Sequence, residues 1–362
     1  MIYHKKTERS AAKVDQVSAN EWDSIVAGFS DGTIYQSSAY GSIRWGANRL
    51  SHTVVAKDGV IVGAAQVVII KIPLTNIGIA YIPWGPLWRP AGTENNLENL
   101  QRILQALEEE YCGRRGLCLR IRPNIVKDEF GGVSALLQSL NFLFISRKKI
   151  YRTFLVDLSR SQDELRRGLK KSWRRSLRKA ENNDELKIYS GKDEGLFDDF
   201  LYLYREMRQL KRFTGASPYI FREVQSKLSN EQKMIILLAK RNSRLVSGLI
   251  LSIIGNVAIG LFAASNDEGR RLNASHLLEW NELNFLKEMG VSWLDAGGID
   301  PEKFPGGYRF KAGYAQKNGC DVTHIGVFES GRSRVSNLIV RVFESAKTSF
   351  WKFKTITSIF QK

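Results

Sequence analysis

The sequence predicts an α/β protein made of two similar units. Three observations carry this reading. The chain has 362 residues, 43% of them hydrophobic, enough apolar material for two sizeable cores. Three strands, a helix and a fourth strand occur in that order twice, roughly 180 residues apart. A strongly basic segment, residues 161–181, lies between the two runs. The repeat is one of element order, not of residue identity.

Residues 1–50 are polar with scattered aromatics, and a short helix is expected at 21–29. Residues 53–56 read as a strand, Asp58-Gly59 as a hairpin turn and 60–70 as the returning strand. A third strand is expected at 77–82. In 97–111, Leu100, Ile103, Leu104 and Leu107 recur at helical spacing, and 117–121 follows as a strand. The second run has strands at 234–239, 245–254 and 257–263, a helix at 274–289 closed by Gly290, and a strand at 291–294. Leu245 to Asn266 is an uncharged run long enough to tempt a membrane-span assignment. Gly255-Asn256 interrupts it and β-branched residues dominate its first part, so a two-stranded hairpin is expected instead.

In the basic segment, Ser161 and Glu164 form a capping-box pattern that should start a helix. Leu165, Leu169, Trp173 and Leu177 give one apolar stripe. Eight cations, from Arg166 to Lys179 with no acid between, cover the other faces. Like charges repel, so this density exceeds what solubility needs and points to an anion-binding face. A further helix around 196–212 mixes Tyr202 and Tyr204 with Arg205, Arg208, Lys211 and Arg212. From Gly331 onward, Val335, Leu338, Val342, Phe343 and Phe350 keep helical spacing among basic residues, a pattern suited to a membrane interface or to docking on the core.

The net charge of +17 implies an anionic partner: nucleic acid, a phosphate-bearing substrate or an acidic membrane surface. Cys112, Cys118 and Cys320 are odd in number without a C-x-x-C pair, which fits a reducing cytoplasm; the N-terminus has no signal-peptide core. His4, His52, His276 and His324 show no metal spacing, and Walker A and G-x-G-x-x-G loops are missing. No metal and no cofactor are expected. His276 lies near a helix start, where a lone histidine is more often structural. The stretch Asp295 to Tyr314 follows a strand and reads as a glycine-rich loop holding Asp295, Asp300, Lys303, Arg309 and Lys311.

Several stretches, in order, resemble the Fem family of peptidoglycan interpeptide-bridge aminoacyltransferases. They are Tyr35-Gln-Ser-Ser-Ala-Tyr40 with Arg44, Tyr81-Ile-Pro-Trp-Gly-Pro86, Leu119-Arg-Ile-Arg-Pro123, the basic helix from Leu169 to Ala180, and Leu294-Asp-Ala-Gly-Gly-Ile299 with Phe310-Lys311. The chain is similar to the compact members, without a coiled-coil arm. It departs where Arg44 stands for a frequent lysine, and where Gly260 and Phe262 occupy a strand that often carries tyrosines.

The resemblance implies two fused GNAT-like domains, each a mixed sheet flanked by helices. They are expected at 1–150 and 151–320, with 321–362 giving a return strand to the first domain and a basic amphipathic helix. It implies transfer of an amino acid from aminoacyl-tRNA to the stem-peptide amine of a lipid-linked or UDP-linked peptidoglycan precursor, with peripheral contact to anionic membrane through the last helix. In that scheme Lys311 stabilises the oxyanion or the donor's terminal phosphate, with Asp295 and Asp300 the nearest carboxylates. Arg44, Arg212, Tyr219, Gly297, Gly298 and Phe310 bind substrate, and Arg174, Arg175, Arg178 and Lys179 meet RNA. The alternatives are an acyl-CoA-dependent acyltransferase acting on an envelope saccharide or lipid, and a non-catalytic basic protein binding RNA or membrane.

Overall fold

The computed structural model describes residues 10–72, 75, 77–145, 150–211 and 217–330. The C-terminal segment from Gly331, with the tail helix expected there, and Arg212 lie outside the described residues. The chain packs as two compact units. Of the described residues, one takes 10–31, 45–145 and 325–330; the other takes 32–44, 150–211 and 217–324. Residues 32–44 therefore group with the second unit, not with the first as the domain boundaries expected.

The first unit contains β1 (Ser10–Val14) and α1 (Ala19–Ala27), whose capping box pairs Ser18 with Glu21. After α2 (Ser38–Trp45), nearly all of which belongs to the second unit, come β2 (Leu50–Lys57), β3 (Val60–Lys71), β4 (Gly78–Pro83), α3 (Leu97–Leu107), β5 (Cys118–Arg122), α4 (Val133–Ser139) and β6 (Phe142–Phe144). Asp58 and Gly59 both have positive φ and join Lys57 to its partner Val60 in the tight turn expected there. Leu100, Ile103, Leu104 and Leu107 of α3 are all buried in the core under the sheet.

The second unit continues with β7 (Arg152–Asp157), α5 (Gln162–Gly168), α6 (Lys171–Glu181), β8 (Leu186–Gly191), α7 (Glu194–Lys211), α8 (Tyr219–Lys227), β9 (Ile235–Arg241), β10 (Arg244–Ile254), β11 (Val257–Ser265), α9 (Asp267–Arg271), α10 (Ala274–Glu288), β12 (Trp293–Asp295), α11 (Pro305–Ala315) and β13 (Gly319–Thr323). The uncharged run is the β10–β11 hairpin, with Ile254 paired to Val257 across Gly255-Asn256. Among the described residues no helix is long and apolar enough to cross a membrane. Alternation along the strands splits the core in two. Ile235, Leu237, Leu249 and Leu251 join a cluster with α6, α10 and α11, while Ile236, Leu238 and Ile250 join another with α7, α8 and α2. Helices therefore cover both faces of this sheet.

The last described strand is β14 (Phe328–Ser330). The two sheets have seven strands each, ordered β1-β2-β3-β4-β5-β14-β6 and β13-β7-β12-β11-β10-β9-β8. Reading the second backwards gives the same plan. Each has one parallel pair, β4 with β5 and β11 with β12, where the chain crosses over through α3 and α10. The repeat expected from sequence is thus two mixed sheets of one topology.

Two further sequence expectations change. The basic segment is not one helix. Leu169 and Lys170 are extended, with ψ 138° and 144°, and divide α5 from α6. Asn318 explains the break: its amide donates to the Leu165 carbonyl at 2.8 Å, and the Lys170 N–H turns to the Gly313 carbonyl at 2.8 Å. The stretch 295–314 is loop only to Phe304. Pro305 opens α11, its fixed φ suiting a first helical position.

Candidate active site

Within the second unit, α11 places Lys311 against the end of β12. Gly297 makes this approach workable. Its φ is +79°, and a Cβ there would lie 2.5 Å from the Gly260 carbonyl oxygen and 3.3 Å from Lys311 Nζ. A side chain would therefore clash as well as strain the backbone. The Lys311 ammonium donates to the carbonyls of Gly297, at 3.0 Å, and Gly298, at 3.3 Å. Burial lowers its pKa below the ordinary lysine value, while Glu279, Asp295 and Glu282 pull it back and favour the charged form.

Asp295 is buried and well bonded. It accepts from the Gly297 N–H at 2.8 Å, from Tyr151 Oη at 3.0 Å and from the Thr153 hydroxyl, both donors supplied by the neighbouring β7 region. Burial raises its pKa, and these three donors and Lys311 oppose the rise. Its oxygens fold the Gly297–Gly298 turn that receives Lys311. Asp300 sits farther along, where its carboxylate accepts from the Lys303 N–H at 3.0 Å and its carbonyl from the Phe304 N–H at 2.8 Å, shaping the approach to α11.

Phe310 is half-buried, with ring centroids 5.0 Å from His276 and 6.0 Å from Trp173. Trp173 belongs to α6 and lies so close to α11 that a Cβ on Gly313 would be 2.3 Å from its ring. The basic helix is thereby fixed beside the lysine. All four residues of the apolar stripe expected along the basic segment, two of them ahead of α6, are buried. Arg175, Arg178 and Lys179 are exposed and Arg174 is half-buried. Arg166 leaves the cationic set: it grips Glu181 with two bonds, at 2.8 and 2.6 Å.

A cleft of about 400 Å³ opens beside these residues, lined by Phe310, Lys311, His276, Arg270, Gly306 and Glu279 among others. Burial pushes His276 down to about 4, so it is neutral at pH 7 and acts as an aromatic wall. Arg270-Arg-Leu-Asn-Ala274 lacks the glycines of a pyrophosphate loop, yet Arg270 does reach this cleft. Among the described residues no group of three or more His, Cys, Asp or Glu side chains is placed to hold a metal.

Arg44 and Tyr219 belong to a different part of the unit. Arg44 is exposed on the last turn of α2 and Tyr219 starts α8, hydrogen-bonded to Arg205. Tyr40 of α2 and Phe221 of α8, with rings 5.4 Å apart, hold the two helices together. Neither Arg44 nor Tyr219 lines the cleft around Lys311.

Sequence reading missed Glu279 and Glu282, both buried on α10 beside Lys311. The available signal was their place on the apolar side: positions 275, 279, 282 and 286 run in line, and Leu278, Leu283 and Leu286 are all core. Chemically, a cation beside two carbonyls, an aromatic wall and buried carboxyls can polarise a carbonyl and manage a proton.

Comparison with known proteins agrees with this architecture. The model described as "Acetyltransferase (GNAT) domain" matches residues 167–312, which contain the whole cleft. The chain is 21% identical to the Lipid II:glycine glycyltransferase of Staphylococcus haemolyticus (strain JCSC1435), over 79% of this chain and 85% of that protein. Its fold is similar to the crystal structure of FemX, with a TM-score of 0.76, 17% identity and coverage of 90% of this chain and 99% of that one. A conserved protein of unknown function from Bacteroides thetaiotaomicron aligns with a TM-score of 0.58 at 10% identity, over 88% and 99% of the two chains. The two sheets are GNAT-like units, and the chain is an acyltransferase.

Proposed function

We propose that this Fem-like acyltransferase of two GNAT units moves an amino acid from aminoacyl-tRNA to the stem-peptide amine of a lipid-linked or UDP-linked peptidoglycan precursor. The observation that carries the reading is Lys311, held on two glycine carbonyls in a cleft directly beside the cationic helix α6. The Staphylococcus relative, by its name a glycyltransferase acting on Lipid II, supports the acceptor. The acceptor amine attacks the ester carbonyl of the donor. The Lys311 ammonium stabilises the oxyanion, in a site where burial strengthens its field. Phe310 and the Gly297–Gly298 turn seat the acyl end, and Arg174, Arg175, Arg178 and Lys179 take RNA phosphates. Arg44, Arg212 and Tyr219 hold the acceptor's phosphates and sugar.

Asp295 acts here by building the turn, since three donors already occupy its oxygens. Purified protein given charged tRNA and a muropeptide precursor should form the new amide. Lys311→Ala should slow that step about 10²–10³-fold, the usual loss of an oxyanion donor. An unchanged rate would remove Lys311 from the mechanism. The match to an acetyltransferase model keeps acyl-CoA as the rival donor.

A lipid-linked acceptor also calls for work at the inner face of the cytoplasmic membrane. The basic, aromatic sequence after Gly331 suits that surface. Deleting it should weaken binding to anionic liposomes; equal binding by the shortened protein would dismiss the contact.

A further inference from the structure

We propose that Glu279, sharing one proton with Glu282, is the base that takes the proton from the attacking amine and returns it to the leaving oxygen. The inference rests on the acyl-transfer reading above and supplies the proton acceptor which that reading leaves unnamed.

Glu279 and Glu282 lie one turn apart on α10 and are only 8% and 3% exposed. Their buried carboxyls lie close enough for each to perturb the other. Two carboxylates offer only acceptors and repel, so a buried pair side by side is relieved by sharing one proton. The two are not equivalent. Glu279 lines the cleft with Lys311, and Glu282 lies behind it. Tyr314, one turn beyond Lys311 on α11, also acts on Glu279. Burial raises both carboxyls; Glu282 opposes the rise in Glu279, whereas the charge of Glu279 adds to it in Glu282. Glu279 alone of the two lines the cleft, so the reactive form is the one with the shared proton on Glu282 and a carboxylate on the cleft side.

The surrounding groups agree with this assignment. Lys311 and Tyr314 face the pair from α11, and Asp295 at the end of β12 acts on Lys311 and Tyr314. Arg270 of α9, neutral His276 of α10 and Ser247 of β10 line the same cleft, and α6 contributes Trp173 against His276. Two buried glutamates and Asp295 around one lysine leave an excess of acid, which the shared proton relieves.

The step balances. The amine nitrogen bonds to the acyl carbon, and the bond from that carbon to the ribose oxygen breaks. The amine proton passes to Glu279 and from there to the ribose oxygen, so no proton is consumed. Glu279→Gln should slow single-turnover transfer about 10²–10⁴-fold, the usual loss of a general base, with donor binding unchanged. Glu282→Gln, which copies the protonated neighbour, should stay within a few-fold of the parent. Glu282→Leu removes the donor to Glu279 and should move the rising limb of the pH–rate profile to higher pH. Wild-type transfer by Glu279→Gln, or an unmoved limb in Glu282→Leu, overturns the assignment. In the free protein, carboxyl NMR of ¹³C-glutamate-labelled material at pH 7 should show one protonated carboxyl, lost in Glu282→Gln. Its absence overturns the shared proton whatever the donor. Failure of the acyl-transfer reading would appear differently, as no turnover by the parent protein with charged tRNA or acyl-CoA.

Discussion

Asp31 shows how one buried carboxyl records the balance of forces in the first unit. It accepts from the N–H groups of Trp88, at 3.1 Å, and Arg89, at 3.3 Å, and the Arg89 guanidinium comes within 3.8 Å. Burial nevertheless wins and raises its pKa from 3.8 to about 6. The fold therefore binds this proton more tightly than the unfolded chain does. Stability from this group is complete below about pH 4, falls as pH rises through about 6 and is flat above, a change of about 3 kcal/mol. Asp31→Asn has no such titration. The gap between the urea unfolding energies of Asp31→Asn and the parent should therefore widen, in the variant's favour, between pH 4 and 6. A constant gap would mean that Asp31 does not titrate there. Lys311 and Asp295 were legible in the sequence, as charges in a glycine-rich stretch after a strand. Glu279 and Glu282 were not read: their place on the apolar side of α10 signals burial, but only the folded unit brings them beside Lys311.

At the scale of elements, the basic segment, α5 with α6, unites two signals that the sequence offered separately. The four-residue apolar spacing predicted a buried stripe, and Leu165, Leu169, Trp173 and Leu177 are all buried. The same spacing concealed the break after Gly168. That break depends on Asn318, which lies far along the chain: a Cβ on Gly168 would sit only 1.8 Å from its Oδ1. A local pattern cannot contain such a contact. Likewise the glycines of 295–314 suggested loop throughout, while Pro305 and packing against Trp173 make the second half a helix. The exposed cations of α6 lead to an expectation for RNA. Combining Arg175→Ala, Arg178→Ala and Lys179→Ala should weaken binding of uncharged tRNA at low salt. The slope of log affinity against log salt should become shallower by about 1 for each phosphate that the variant no longer neutralises. Equal affinity and slope in parent and variant would detach this helix from the donor.

At the scale of the whole molecule, the doubled element order was readable because each strand carries its own apolar pattern and each turn its own residues. What could not be read is which strand completes which sheet. β14 lies between β5 and β6, pairing Phe328 with both Ile121 and Phe144, and its Glu329 meets the buried Arg120 guanidinium at 2.9 Å. The corresponding place in the other sheet, between β12 and β13, is filled by β7. Each sheet thus takes its sixth strand from a part of the chain that follows the other sheet's edge strand, β13 before β14 and β6 before β7. Pairing over such separations is decided by the assembled sheet, not by any window of sequence.

The proposal that the cleft around Lys311 transfers an aminoacyl group delivered on RNA turns on the donor. It is tested most directly by offering the purified protein a muropeptide precursor with either labelled aminoacyl-tRNA or labelled acyl-CoA, with and without prior ribonuclease treatment. The label should reach the precursor from the charged tRNA alone, and ribonuclease should abolish it. Transfer from acyl-CoA that survives ribonuclease, with none from charged tRNA, would contradict the claim.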